Sequence, residues 1–427
     1  MGGLPTTAFP LEWPRSNEVH QRANMIGPTQ LSFEPNPPGS DGASGPLAGI
    51  HVLDLSRVLA GPYAAMILGD LGAEVIKVEQ PGSGDDTRKW GPPFIDTPDG
   101  PESTYFLSAN RNKRSVTVDL KDPDERSFIE KMVNWADVII ENFRPGVMDR
   151  LGLGDAVLEA LNPSLVRLSI SGFGDDGPES RRVGYDHILQ AEGGLMSITG
   201  APEGPMVKVG VPIADITAAL YGVIGILAGL LERGSSGRGQ RVSTSLLAGQ
   251  IGLHTFQGTR YLVAGEVPPP SGNQHPTVCP YGVFSASDAP IVIAVGNDAI
   301  WRRFAPLVGI DPSLEIFSTN AQRIANQREL NELMAPGLIA RTVAQWLVLF
   351  DEAGVPAGQV KTIDQVYDTE QVRQQGLVWT GEHTTLGKIE LPGSPLRYGR
   401  STVSMRLAPP VLGEHSTRIR EELGGDV

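Results

Sequence analysis

The chain has 427 residues, of which 40% are hydrophobic and 20% are charged, and its formal net charge at pH 7 is −14. This size and composition favour a globular protein of two domains, and the acidic balance argues against a nucleic-acid partner, which would need a basic face. The single cysteine, Cys279, excludes an internal disulfide framework and is typical of a reducing cytoplasm, where we expect the protein to be located.

Residues 1–45 are crowded with Pro, Gly, Ser and Asn and lack sustained periodicity, which predicts a flexible arm outside the folded core. They contain no basic stretch followed by an apolar one, so we expect no signal peptide. Further along, no apolar run approaches the roughly 18 residues of a membrane span, and we expect no membrane partner. The most apolar segment, residues 218–231, is rich in Gly and Ala and ends in charge, which favours a buried helix.

Between residues 47 and 171, short apolar segments alternate with longer amphipathic ones. The first three are a strand at 51–55, a helix at 63–71 and a strand at 74–78, which together form a right-handed βαβ unit. The elements that follow are strands at 115–120, 137–141 and 165–171 and helices at 122–136 and 154–161. The alternation predicts an α/β fold with a Rossmann-like open parallel sheet.

The second half of the chain begins with a long helix, predicted from about residue 216 to residue 232. A strand at 241–245 and a helix at 246–264 follow, and a Pro- and Gly-rich break at 266–280 indicates a linker to a smaller α+β domain. The expected parts are a flexible arm at 1–45, a large α/β domain at 46–245 to which residues 385–427 return, a linker helix and loop at 246–280, and a small α+β domain with its return linker at 281–384.

Asp215 is the first candidate for chemistry. It follows the apolar segment 209–214 and stands at the predicted N-cap of the long helix. A carboxylate there accepts backbone N–H bonds and is kept ionised by the positive end of the helix dipole, as a carboxylate nucleophile requires. The alternative is that Asp215 only caps the helix, which is the commoner use of Asp at this position.

Other charged groups follow predicted strand ends, where ligands bind in open parallel sheets. Lys121, Arg144 and Arg150 are therefore candidate anchors for a phosphorylated ligand, with a solvated charged surface as the alternative. Asp186 and His187 precede Asp215 and are candidates for a general acid or base, although His187 fits a surface position equally well.

Two kinds of site lack support in the sequence. The first βα turn, residues 56–62, has no Gly-x-Gly-x-x-Gly, which argues against a nicotinamide dehydrogenase. The seven histidines are scattered without metal-binding spacing, so we predict no metal site and no permanently bound cofactor.

Several motifs occur in a fixed order and carry a specific resemblance. They are Leu-Ala-Gly-Pro62, Leu-Gly-Asp-Leu-Gly-Ala-Glu-Val-Ile-Lys-Val-Glu79, Ala-Asn-Arg-Asn-Lys-Arg-Ser115, Glu-Asn-Phe-Arg-Pro-Gly146, Ser-Gly-Phe-Gly174, Gly-Arg-Gly-Gln240 and Gly-Asn-Gln-His-Pro276. Over residues 46–415 the chain resembles the family III CoA-transferases, also called the CaiB/BaiF family, which include formyl-CoA transferase and the α-methylacyl-CoA racemases. The run from Asp85 to Phe106 is most similar to the branch that uses succinyl-CoA with glutarate-like dicarboxylates.

The resemblance implies a mechanism in which Asp215 is the nucleophile. The carboxylate attacks the acyl-CoA thioester and forms an acyl–aspartyl anhydride, CoA returns to form an aspartyl thioester, and the acceptor acid completes the transfer through a second anhydride. CoA and acyl-CoA are then substrates, and the resemblance also implies an interlocked homodimer.

The resemblance further implies a set of binding residues. The CoA contacts carry over to Val58, Gln80, Val118, Lys121, Asn142, Phe143, Arg150 and Phe173. Formyl-CoA transferase has Arg where this chain has Gln80 and Lys where it has Ser171, so the phosphate contacts differ in part. Arg57 suits a substrate with a second carboxylate, and a closing loop is expected at Gly272, Asn273, Gln274 and His275.

Two alternatives to transfer remain. A racemase would need a base and an acid on opposite faces of Cα, and the racemases of this family supply a His where this chain has Tyr185. A phenol is a weak base near neutral pH, which favours the transferase. A CoA-binding module without turnover is the other alternative, and the intact Asp215 argues against it.

Overall fold

The computed structural model describes residues 45–98 and 100–425, so all but the last residue of the predicted arm 1–45 lies outside the described residues. Its largest feature is a six-stranded, all-parallel sheet, which confirms the predicted open α/β sheet. In chain order the strands are β1 (His51–Asp54), β2 (Glu74–Glu79), β3 (Phe94–Ile95), β4 (Glu102–Ser103), β5 (Lys113–Thr117), β6 (Val138–Glu141), β7 (Val166–Ser171), β8 (Arg241–Ser245), β9 (Tyr281–Ser285), β10 (Pro290–Ala294), β11 (Ala357–Gln359), β12 (Val378–His383) and β13 (Gly387–Pro392).

The helices fall on both faces of this sheet and in the later part of the chain. They are α1 (Ala60–Asp70), α2 (Thr104–Leu107), α3 (Arg126–Trp135), α4 (Val147–Arg150), α5 (Asp155–Leu161), α6 (Asp186–Glu192), α7 (Ile213–Ser236), α8 (Leu246–Leu253), α9 (Thr255–Ala264), α10 (Asp298–Phe304), α11 (Asn320–Ala325), α12 (Gln327–Leu338), α13 (Val343–Glu352), α14 (Ile363–Tyr367), α15 (Glu370–Gln374) and α16 (Ser416–Leu423). The single helix predicted over 246–264 is interrupted at His254, whose ring lies 2.7 Å from the Gly193 carbonyl oxygen.

The strand order of the large sheet, β5-β2-β1-β6-β7-β8, reverses direction between β1 and β6. From β1 the chain builds outward to β2 and β5, and it then returns to add β6, β7 and β8 on the other side of β1. At such a reversal, the loops that follow the two neighbouring strands run to opposite faces of the sheet and leave a crevice between them. Ligands of open α/β sheets bind in this crevice. The fold therefore places a binding crevice beyond Asp54 and Glu141, the carboxyl ends of β1 and β6.

Helix α7 is the main support of one sheet face. It is long and apolar enough, by length and composition, to cross a membrane, and 56% of its most apolar window is buried inside the protein. Two of its glycines allow it to lie close to the strands: a Cβ added at Gly222 would lie 2.8 Å from Leu168, and one at Gly225 would lie 2.4 Å from Val242. This close packing fixes where the start of α7 meets the crevice.

The later part of the chain builds a second core. Strands β9, β10 and β11 form an antiparallel sheet, against which buried aromatic side chains such as Trp301 and Trp346 pack. The tail then contacts the large sheet again, because the Asn112 N–H donates to the Leu407 carbonyl oxygen at 2.9 Å and Ile419 is buried beside α3. The exact domain boundaries expected from the sequence stay a prediction.

Candidate active site

The turn that follows β1 has its backbone N–H groups occupied by side-chain oxygens. The donor–acceptor pairs are Ser56 to Asp54 (3.0 Å), Arg57 to Asn142 (2.8 Å) and Val58 to Asp85 (3.2 Å). In dinucleotide-binding folds, free N–H groups at this position receive the pyrophosphate. Here protein oxygens take that place, so this turn does not offer a phosphate cradle.

The same turn is conformationally strained. Val58 has a φ of 70°, in the left-handed region that a β-branched residue rarely adopts. Asn142 holds the neighbouring residue from both sides, because its side chain accepts from the Arg57 N–H and donates to the Arg57 carbonyl oxygen at 2.6 Å. Strain of this kind persists where the surroundings over-determine it, and it is common at binding sites.

A cavity of about 580 Å³ lies on one side of this turn, beyond the ends of β2, β5 and β6. Five of the predicted CoA-contact residues line it: Gln80, Val118, Lys121, Phe143 and Arg150. Lys121, Arg144 and Arg150 are exposed at its rim. Within residues 45–98 and 100–425, Arg144 and Arg150 form no ion pair, so their charges are available to an anionic ligand.

A smaller cavity of about 150 Å³ lies on the other side of the turn and contains Asp215. Val58, Asn142 and Tyr185 also line it. Both cavities are lined by Arg57, Asp86, Phe143 and Arg144. The cavity with the cationic rim and the cavity with the carboxylate of Asp215 are therefore adjacent.

The structure corrects the predicted position of Asp215 on its helix. Helix α7 begins at Ile213, so Asp215 is its third residue and not its N-cap, and the N-cap residue Pro212 makes no side-chain cap bond. Asp186 caps α7 instead, since its Oδ1 accepts from the Ala214 N–H at 2.8 Å. Asp186 is thus a structural anchor for the start of α7.

The expected ionisation of Asp215 also needs correction. Burial, together with the negative charge of Asp186, raises the pKa of Asp215 to about 7. The positive end of α7 favours the ionised form, but burial disfavours the charged form more strongly. Near neutral pH the carboxyl is therefore divided between its acid and its nucleophilic carboxylate.

A pH dependence follows from this arrangement. The rate of any reaction that uses the Asp215 carboxylate should rise with pH through about 7, because the protonated form is not nucleophilic. Asp186→Asn keeps an oxygen for the Ala214 N–H but removes the charge, so it should move the acid limb of kcat/KM to lower pH. A profile that does not move would show that Asp186 leaves the ionisation of Asp215 unaffected.

Some predicted residues do not line either cavity. Phe173 is buried beneath the guanidinium of Arg182, and His187 is exposed on α6. The predicted closing loop, Gly272 to His275, contacts other parts of the chain: the Gly272 N–H donates to the Gly200 carbonyl oxygen at 2.8 Å, and the His275 ring stacks on Tyr281. A role for these residues stays a prediction.

The basic run before β5 is structural. Arg111 forms a bidentate pair with Asp70 at 2.9 and 2.6 Å, and Lys113 is fully buried 2.8 Å from Asp54. These charges are neutralised inside the protein, which leaves the cations after β5 and β6 as the candidates for an anionic ligand.

Three side chains near the crevice were not singled out from the sequence. Asp85 holds the strained turn, Arg182 lines the smaller cavity, and Tyr105 lies close enough to Asp215 to be affected by its charge. Burial, with the charge of Asp215, raises the pKa of Tyr105 to about 12, so its hydroxyl stays protonated. Tyr105 and Asp85 lie within the run that resembled one branch of the family, but nothing in their spacing revealed these contacts.

Among the described residues, no group of three or more His, Cys, Asp or Glu side chains is placed to hold a metal ion. The site thus consists of one nucleophile candidate, a strained turn and a cationic cleft.

Comparison with known proteins assigns the chain to a family. The profile of CoA-transferase family III matches residues 47–416. The succinyl-CoA:glutarate CoA-transferase of Mus musculus is 40% identical over 380 residues, covering 88% of this chain and 86% of the relative. The succinate–glutarate CoA-transferase of Agrobacterium fabrum is 39% identical over 389 residues, covering 88% of this chain and 96% of the relative.

A solved structure agrees with the sequence relatives. The crystal structure of a CaiB/BaiF family protein from Brucella suis has a TM-score of 0.80 and 38% identity, covering 89% of this chain and all of that one. The chain therefore belongs to CoA-transferase family III, and the predicted family, fold and enzyme class are confirmed.

Proposed function

We propose that the protein transfers CoA from succinyl-CoA to a second dicarboxylic acid through covalent intermediates on Asp215. The observation that carries the proposal is that the cavity with the cationic rim and the cavity that contains Asp215 share a wall, in which Arg57 lies. The relatives named for transfer between succinate and glutarate support the choice of dicarboxylates.

The cavities suggest a path for CoA. Its phosphates would lie at the rim of the larger cavity, where Lys121, Arg144 and Arg150 supply positive charge. The pantetheine arm would then pass Phe143 and the strained turn, and the thioester would enter the smaller cavity beside Asp215.

The reaction conserves the activated acyl bond at every step. An oxygen of Asp215 attacks the succinyl thioester, the C–S bond breaks, and the CoA thiolate leaves an anhydride behind. The thiolate attacks the aspartyl carbonyl of that anhydride, which releases succinate and forms an aspartyl thioester. The acceptor carboxylate displaces the thiolate to form a second anhydride, and attack of the thiolate on the acceptor carbonyl gives the product thioester and the free carboxylate of Asp215.

Arg57 is the proposed partner of the second carboxylate of the substrate. Its side chain is exposed and lines both cavities. Its ion pair with Asp86, at 3.5 Å, is also exposed and therefore weak, so Arg57 can turn to a ligand at small cost. Arg57→Gln should raise the KM for glutarate by roughly 10- to 100-fold, since a charge-assisted hydrogen bond contributes about 1.5–3 kcal/mol. The KM for a monocarboxylic acceptor such as butyrate should change little.

Arg57→Lys serves as the matched control because it keeps the positive charge, and it should recover part of the loss for glutarate. Equal losses for glutarate and butyrate would contradict the role of Arg57. Absence of CoA transfer from succinyl-CoA to any dicarboxylic acid would contradict the proposed function itself. Exchange of the Cα proton of a 2-methylacyl-CoA for deuterium, without transfer, would instead favour a racemase.

The proposal includes a homodimer in a cytoplasmic enzyme. Helices α7, α8 and α9 expose large apolar side chains, among them Leu262 and Val263, each 82% exposed in the single chain. A surface of this kind is typical of an association interface. An interlocked partner would cover it and would bring a second copy of the loop Gly272 to His275 within reach of the site, where it would exclude water from the anhydrides.

A further inference from the structure

We propose that Asp85 is a positioning residue that holds the turn Ser56–Val58 in the shape over which the pantetheine arm of CoA passes. The inference rests on the proposed path of CoA through the two cavities. Asp85 borders the larger cavity but is only 2% exposed, and its Oδ1 accepts from the Val58 N–H, so we assign its effect to the backbone of Val58.

Asp85 is the end of a chain of buried charges. The Lys113 ammonium lies 2.8 Å from Asp54, and the Lys77 ammonium lies 2.9 Å from Asp85 and 3.9 Å from Asp54. All four side chains are buried. Burial opposes ionisation, but the charge of Lys77 and the hydrogen bonds from Thr87 lower the pKa of Asp85 to about 2, so Asp85 stays charged.

Three members of this network also hold the turn, and Lys113 holds one of them, Asp54. Lys77 donates to the Ser56 carbonyl oxygen at 3.1 Å, Asp54 accepts from the Ser56 N–H, and Asp85 accepts from the Val58 N–H at 3.2 Å. These contacts reach Ser56 and Val58 from β1, β2 and the loop after β2, while Asn142 holds Arg57 between them. Buried side chains therefore hold the backbone of the turn, and the turn itself lines the two cavities.

A stability role alone does not account for this arrangement. Buried ion pairs contribute little net stability, because well-packed apolar side chains of similar volume are often as stable or more so. The clamp does, however, maintain an unfavourable conformation, the φ of 70° at Val58. If Asp85 releases the Val58 N–H, the peptide can relax toward negative φ, which would move Arg57 and Val58 in the wall of the cavities.

The test separates the two ends of CoA. Isothermal titration of the full chain with CoA and with adenosine 3′,5′-bisphosphate reports on the whole ligand and on its nucleotide end. Asp85→Ala should weaken CoA binding by about tenfold or more, as expected for loss of a hydrogen bond to a charged group, and should leave bisphosphate binding within about twofold. Asp85→Asn, whose amide oxygen can still accept from Val58, should fall between the wild type and Asp85→Ala.

Two controls make the result specific. Arg323→Met removes an equally buried charge in the second core, 2.7 Å from Asp298, and should leave both affinities unchanged. Lys121→Ala should weaken both ligands, and failure to do so would contradict the CoA path and, with it, the role assigned to Asp85. If Asp85→Ala does not fold, Thr87→Val removes the hydroxyl that donates to Asp85 Oδ1 at 2.8 Å and should weaken CoA binding in the same direction. Unchanged CoA affinity, or equal loss for both ligands, in a folded Asp85 variant would overturn the proposal.

Discussion

Asp215→Asn is expected to lower kcat for CoA transfer by about 10⁴-fold or more, while CoA binds with nearly unchanged affinity. An amide of the same size preserves the packing at the start of α7 but cannot form an anhydride, and loss of a nucleophile commonly costs several orders of magnitude. Steady-state transfer from succinyl-CoA to glutarate measures the first quantity, and calorimetric titration with CoA measures the second.

The control for this variant is Asp311→Asn, which changes an exposed carboxylate in the second unit of the chain and should retain full activity. Residual transfer above about one hundredth of the wild-type rate in Asp215→Asn would contradict covalent catalysis by Asp215. Asp85 and Asp186 do not offer a substitute, because Asp85 is engaged by Lys77 and Asp186 by the Ala214 N–H. Asp86, which lines both cavities, is paired with Arg57.

Replacing both Lys121 and Arg150 with alanine should raise the KM for succinyl-CoA by roughly 100-fold and leave kcat within about twofold. Each cation would bind a phosphate far from the reacting thioester, so its contribution is the same in the ground state and the transition state, and such uniform binding appears in KM alone. The affinity of the wild type should also decrease with salt, because both side chains are exposed.

Arg328→Ala is the matched control for charge, since Arg328 is an exposed cation on α12 that pairs with Glu332 on the same helix. It should leave the KM for succinyl-CoA unchanged. A double variant of Lys121 and Arg150 with normal KM would place the CoA phosphates elsewhere and would contradict the cationic-rim assignment.

The large sheet could be predicted because each of its strands and helices is identified by a pattern within a short stretch of sequence. Alternating apolar strands and amphipathic helices identify each βαβ unit, and Val-Ile-Lys-Val-Glu79 and Val-Ile-Ile-Glu141 are buried strands as expected. The motifs then indicated the family and, with it, ten of the residues that line the two cavities. Val58, Asn142, Phe143 and Asp215 are together in the smaller cavity, although 157 positions separate the first from the last.

Features that depend on contacts between residues far apart in the sequence could not be predicted. The start of α7 was misplaced because its capping group, Asp186, comes from a position 28 residues away from the N–H it accepts. The same contact brings a second negative charge near Asp215, which is why its pKa rises where the local sequence indicated a lowered one. The role of Asp85 was equally hidden, because Gly-Ser-Gly-Asp85 resembles an ordinary turn until β2 and β1 bring Lys77 and Val58 to it.

Trapping of the covalent intermediate tests the central claim most directly. The wild-type protein is incubated with succinyl-CoA, quenched with hydroxylamine or borohydride, digested, and analysed by mass spectrometry. We expect the peptide that contains Asp215 to carry a hydroxamate, or the alcohol formed by reduction, at that residue alone, and Asp215→Asn to give neither. An unmodified Asp215 in a preparation that transfers CoA at full rate would contradict the proposed mechanism.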